Sequence, residues 1–135
     1  MNEGHFIEGG ALNSFGEKFD FEGKEFKPTM KYNLLGTTMN YFIENSILDI
    51  PDYIKIDVDG IEQLILEGGD KFLNDKKVKS LSIEINENFK EQYDKVLNLM
   101  NKYEFKLLHK KHNDDMFSEQ SKFKNTYNYI FKKLN

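Results

Sequence analysis

The sequence predicts an α/β fold: a short, mostly parallel sheet with flanking helices and a last strand that runs antiparallel. Three observations carry this. From residue 53 onward, apolar runs of strand length alternate with segments of helical periodicity, the pattern of βαβ units. The two strongest runs, "DYIKIDV" and "VKSLSIEIN", each lead into a helical segment. The final run, "TYNYIFKKL", follows its neighbour after a polar connection with no clear helix, so it can return antiparallel.

The elements follow in order. Residues 1–36 form a loop-rich segment, because five of the nine glycines lie there ahead of Gly36 and no steady periodicity develops. A short strand is expected at Thr29 to Leu35. Residues 37–135 form the α/β unit. "GTTMNYFIENSIL" reads as a helix capped by Thr37 or Thr38, with Phe42, Ile43 and Ile47 on one face and Pro51 marking the boundary beyond it. Tyr53, Ile54, Ile56 and Val58 make a nearly continuous apolar run, which predicts a strand buried on both faces. A helix then starts at Gly60, with Ile61, Leu64, Ile65 and Gly68 sharing a side. The Gly68–Gly69 pair stops it, and "DKFLND" adds one turn. Val78, Leu81, Ile83 and Ile85 mark a second buried strand. Asn88 and Glu91 have capping-pair spacing before an amphipathic helix whose stripe is Phe89, Tyr93, Val96, Leu97 and Met100. "EFKLLHK" is a third strand. "KHNDDMFSEQSKFKN" is a polar connection, and Tyr127, Tyr129 and Phe131 alternate with Asn128, Ile130 and Lys132 in the closing strand.

Composition narrows the function classes. A chain of 135 residues suits one domain, and 39% hydrophobic residues suffice for a packed core. The net charge of −4 and the absence of basic runs give no drive towards nucleic acid. With no cysteine there are no disulfides or thiolate metal sites. No apolar run approaches the roughly 20 residues of a membrane span. "MNEGHFIEGG" lacks the regions of a signal peptide. The expectation is a cytoplasmic protein with neither nucleic-acid nor membrane partners.

In parallel sheets, ligands lie outside the carboxyl ends of the strands. Asp57, Asp59, Glu84 and Asn86 all fall at such ends. "YIKIDVDGIE" further gathers Asp57, Asp59 and Glu62 around Gly60. A calcium loop with Gly60 at its sixth position fails, since Lys55 and Leu66 would occupy its first and twelfth. "IDVDG" is similar to the first motif of haloacid-dehalogenase-type phosphatases, with Asp114–Asp115 as the metal pair. Ile61 stands where that motif has Thr, and some 50 residues precede it. A cap reading also holds: Asp59 and Glu62 have capping-box spacing, and a carboxylate at a helix start gains about 0.3–1 kcal/mol from the dipole. Asp57 resists that reading, because an unpaired acid ending a buried strand is costly. His5, His109 and His112 are other candidate bases that read as surface residues.

"YIKIDVDGIEQLILEGG" resembles the hallmark of the FkbM-type methyltransferases, matching at Lys55, Ile56, Asp57, Val58, Asp59, Gly60, Glu62 and Gly68. "GTTMNYFIE" is similar to the family's upstream helix start, with Asn40 where an Asp is usual. "SLSIEIN", "NYIF" and "GGALNSFGE" resemble its flanking segments. The resemblance implies an S-adenosylmethionine-dependent O-methyltransferase acting on a small-molecule hydroxyl, of a sugar or a secondary metabolite. It implies a Rossmann-like sheet of strand order 3-2-1-4-5-7-6 with the seventh strand antiparallel. The four strands here map onto the fourth to seventh, so a partial Rossmann-like methyltransferase sheet is expected. Asp57, Asp59 and Glu62 become the catalytic candidates, with Asp57 as base, orienting group or contact to the cofactor's charged end. Glu84 and Asn86 become substrate candidates, and no resident metal is implied. The family's glycine-rich cofactor loop and ribose-binding acid have no counterpart. Gly9–Gly10, the one early glycine cluster, lacks a strand before it and a helix after it. The chain therefore reads as the C-terminal half of the domain, a fragment or one half of a split protein. Its fourth-strand equivalent would present an open edge, for a homodimer or for docking with a missing N-terminal half. A non-catalytic interaction module is the alternative.

Overall fold

The computed structural model describes residues 15–25, 27–28, 31–112, 121 and 123–134. Its four strands are β1 (Tyr53–Ile56), β2 (Ser80–Asn86), β3 (Phe105–Lys111) and β4 (Thr126–Lys133). They form one sheet in the order β1-β2-β4-β3. β1 runs parallel to β2, and β4 is antiparallel to both of its neighbours. The α/β expectation is met, and so is the antiparallel last strand, which inserts between β2 and β3. This mixed sheet is compatible with part of a Rossmann-like fold, its order being that of strands 4-5-7-6.

The helices are α1 (Met39–Glu44), α2 (Glu62–Glu67), α3 (Asp70–Asn74) and α4 (Lys90–Lys102). Thr38 caps α1, its Oγ1 accepting the Tyr41 N–H at 3.2 Å. Asn40 then ties α1 to α3: its Oδ1 accepts the Lys71 N–H at 3.2 Å and its Nδ2 donates to Asp70. α1 stops at Glu44, with Ser46 in the left-handed region (φ 55°) just beyond. Ile47 therefore leaves the expected helix face and is exposed. Residues 31–35 form no strand; Thr29 and Met30 of the expected strand lie outside the described residues.

Burial corrects three further expectations. β1 is not covered on both faces: Tyr53 is 73% exposed and only Ile56 is buried. α2 buries Glu62, Gln63 and Leu66, whereas Leu64 is left largely outside. The helix begins at Glu62 instead of Gly60, and its inner face meets α4 through a polar pair. Asn88 does not cap α4. The cap residue is Phe89, Asn88 Oδ1 accepts from Asn125 Nδ2 at 2.9 Å, and Glu91 pairs with Lys95 one turn on.

The core lies over β2 and β4. Leu81, Ile83 and Ile85 alternate along β2 and are fully buried together with Leu66, Leu73 and Val96. Ahead of the α/β unit, residues 19–25 form a small turn closed by a Phe19–Glu25 bridge. The Asp20 carboxylate accepts the Glu22 and Lys24 N–H groups inside it. The turn packs onto the sheet end through Phe19 on Phe89 (centroids 5.4 Å) and Phe21 on Phe123 (5.2 Å). Among the described residues, no helix is long and apolar enough to cross a membrane.

Candidate functional site

The site begins where β1 ends. Asp57 lies just past Ile56, and its Oδ2 sits 2.7 Å from Lys55 Nζ, with 40% of the Asp57 side chain exposed. The expected unpaired acid in a buried strand is thus an ion-paired acid at an accessible one. Asp59 (φ 58°) and Gly60 (φ 110°) then take consecutive positive φ values and swing the chain from strand to helix. An aspartate tolerates the left-handed region better than most residues, and Gly60 is needed where the backbone is hardest to satisfy. Asp59 is no helix cap: Ile61 holds that position, without a side-chain cap bond.

Glu62 points inward. It is 3% exposed and accepts the Val58 and Gly60 N–H groups, each at 3.3 Å, plus the Gln92 side-chain amide. Its carboxylate therefore ties the turn at residues 58–60 to α4. Burial pushes its pKa up, against the pull of those backbone N–H groups, while nearby Asp59 adds to the rise. Glu84, half-buried on β2, is pushed up to about 7, first by burial, then by the Asp57 carboxylate beside it and by Asp59 and Glu62. Asn86 is buried with both ends engaged: Nδ2 donates to the Phe21 carbonyl at 3.2 Å, and Oδ1 accepts the Asn88 N–H at 3.0 Å.

Asp59, Glu62, Glu84 and Asn86 come together around one small cavity of about 20 Å³, shared with Gly60, Phe21, Gln92, Phe123 and Thr126. Asp57 stands outside that lining and reaches the group through Glu84. Four of these participants escaped the sequence reading. Gln92 was legible: it lies in helical register with Val96 and Met100 on the buried stripe. Phe21, Phe123 and Thr126 gave no sequence signal, because distant chain packing alone brings them there. His109 and His112 do not line the cavity, and His112 lies against the Tyr127 ring. His5, Gly9–Gly10 and Asp114–Asp115 lie outside the described residues. Among the described residues, no cluster of three His or acidic side chains is arranged to hold a metal ion.

A second hollow, of about 390 Å³, runs along β1 and is lined mainly by Met39, Phe42, Tyr53, Ile54, Ile56 and Phe72. Comparison with known proteins adds one positive finding. A family model described as the Methyltransferase FkbM domain matches residues 31–107, more than half of the chain. No match was found among curated proteins, and none among solved structures.

Proposed function

The chain belongs to the FkbM methyltransferase family, and from that premise we propose that it serves S-adenosylmethionine-dependent O-methylation of a sugar or secondary-metabolite hydroxyl. The observation that carries the reading is the acid-bearing turn after β1, within the matched region and at the carboxyl end of a parallel strand pair. A hydroxyl presented there would meet Asp57, fixed by Lys55, with Glu84 beside it. Asp57 orients the hydroxyl. Glu84, at about 7, is matched to accept its proton near neutral pH. Glu62 and Gln92 act behind them by holding the turn.

The described residues do not form a cradle for the cofactor. The cavity among the acids, about 20 Å³, is far below the roughly 300 Å³ at which ligand pockets begin. The larger hollow along β1 is walled mainly by apolar side chains, with Tyr53 and Lys55 as its polar members and no carboxylate in its lining to hold ribose hydroxyls. In this reading the cradle comes from a strand and glycine-rich loop docked along β1, supplied by a separate cofactor-binding half. A second reading rests on the same edge: a non-catalytic module that pairs through β1 with another copy.

Two measurements test the primary reading. Calorimetry on the chain alone should show no micromolar binding of S-adenosylmethionine; such binding would overturn the missing cradle. Methyl transfer from labelled cofactor should appear once the chain is joined to a strand-and-glycine-loop half. There Asp57→Asn should lower turnover by about 100-fold or more, and an unchanged rate removes Asp57 from the mechanism.

A further inference from the structure

The register of the sheet sorts its side chains onto two faces. Leu81, Ile83 and Ile85 of β2 pair with Phe131, Tyr129 and Tyr127 of β4, and this face carries the core beneath α2 and α4. Lys110 and Lys133 belong to it. Lys110 Nζ lies 4.2 Å from the Tyr127 ring centre, and Lys133 Nζ donates to the Asp75 carbonyl at 3.1 Å, at the end of α3. The alternate residues make the other face. Across it stand Lys106 opposite Lys132, His109 opposite Ile130 and Lys111 opposite Asn128, with Ser80, Ser82 and Glu84 next along β2. The 19–25 turn meets this face at its end, on Asn86. Lys106, His109, Lys111 and Lys132 are exposed.

Among the described residues, Lys106, Lys111 and Lys132 have no acidic partner. Lysines on an edge strand guard it against stray pairing, which accounts for Lys106 and Lys111 on β3. It does not account for Lys132. β4 is an inner strand, and like charges directly opposite each other across a ladder are destabilising. A carboxylate lying over the pair turns that repulsion into attraction. The form of the partner follows from the sheet. Parallel pairs such as β1–β2 are covered by helices on both faces, while the register shift between Leu107 and His109 breaks the β3 edge against an added strand. Glu84 and the Lys55–Asp57 ion pair interrupt the basic tract towards β1, which suits a partner of patch size better than a long polyanion. We propose that this face docks an amphipathic helix of a partner protein, with carboxylates over Lys106, Lys111 and Lys132 and an apolar side chain over Ile130. The docking face stands independently of the methyl-transfer reading.

The test is an NMR titration of the full chain with a synthetic alanine-rich helix of about 20 residues, carrying glutamates at i, i+4, i+7 and i+11. The amides of Lys106, His109, Ile130 and Lys132 should shift saturably, and those of α4 should not. The same peptide with glutamines should bind at least about tenfold more weakly. Lys132→Glu replaces a like pair with an opposite one, so the urea midpoint should hold or rise while peptide binding falls by about tenfold or more. Lys102→Glu, on α4, should leave binding unchanged. Equal binding of the glutamine peptide, shifts centred on α4, or no shifts at all overturn the docking face. A lower urea midpoint for Lys132→Glu would make the lysine pair structural and overturn it as well. Tighter binding of a single-stranded oligonucleotide or of phosphatidylglycerol vesicles at the same amides would give the face to a nucleic acid or a membrane and overturn the helix.

Discussion

Glu84 is the residue whose chemistry the fold has altered most plainly. Its carboxyl titrates at about 7 in the folded chain, against an ordinary value of 4.5. Between those values the folded state holds a proton that the unfolded state has lost. Its stabilising contribution is therefore complete below pH 4.5 and disappears as pH rises through 7. Discounted for partial solvent access, the effect is about 1–2 kcal/mol. Urea unfolding at pH 5 and pH 8 should show a larger fall for the natural chain than for Glu84→Gln. Equal falls would contradict the placement of Glu84 among Asp57, Asp59 and Glu62. The acids themselves were legible in "YIKIDVDGIE", since strand ends and a glycine turn announce a site. Their states were not. That Glu62 is buried follows from which way α2 turns, and that Asp57 is paired follows from Lys55 reaching it from the end of β1; a sequence prints neither.

At the scale of elements, the turn at residues 57–60 is clamped from two sides. Glu62 and Gln92 hold it to α4, and the 19–25 turn lies against Gly60. A Cβ on Gly60 would stand 3.0 Å from Phe21 Cα and 3.2 Å from the Asp20 carbonyl oxygen, at a φ of 110°. Neither neighbour is a flexible side-chain end. Gly60→Ala should cost about 2–3 kcal/mol and should loosen the 19–25 turn, read as faster proteolysis there. Gly16→Ala is the control: its φ is 77°, but open space surrounds it, so only about 1 kcal/mol is expected. Gln92→Met keeps the volume and removes the donor from a buried carboxylate. It should cost about 1–3 kcal/mol and raise the Glu62 pKa further, seen by NMR titration. An unmoved Glu62 would break the proposed clamp. The sequence pattern found these helices but chose the wrong inner face for α2. Apolar periodicity ranks Ile61 and Leu64 above Glu62 and Gln63, and it is blind to a polar pair satisfied across two helices. The cap at Asn88 failed for a related reason: Asn125 engages its side-chain oxygen from the chain segment entering β4.

For the whole molecule, the alternation of strands and helices and the antiparallel last strand were the most legible properties, because βαβ crossovers and a helix-free return restrict strand direction; the strand order, with β4 between β2 and β3, was implied by the family resemblance alone. The consequence of that order is an open edge. Among the described residues β1 pairs only with β2, and an apolar hollow of about 390 Å³ runs beside it. Unpaired strand edges recruit other strands. Amide exchange should distinguish the two sides of this sheet. β2 is paired on both sides and carries fully buried Leu81, Ile83 and Ile85. Its amides should exchange at least about tenfold more slowly than those of Tyr53–Ile56 in a dilute sample. Raising the concentration, or adding a cofactor-binding half, should slow the β1 amides selectively. Ile54→Glu, placed in the wall of the hollow, should abolish that slowing while leaving β2 protected. Equal protection of β1 and β2 at the lowest concentration would mean that the edge is already covered by this chain, and docking along it would then have to be abandoned.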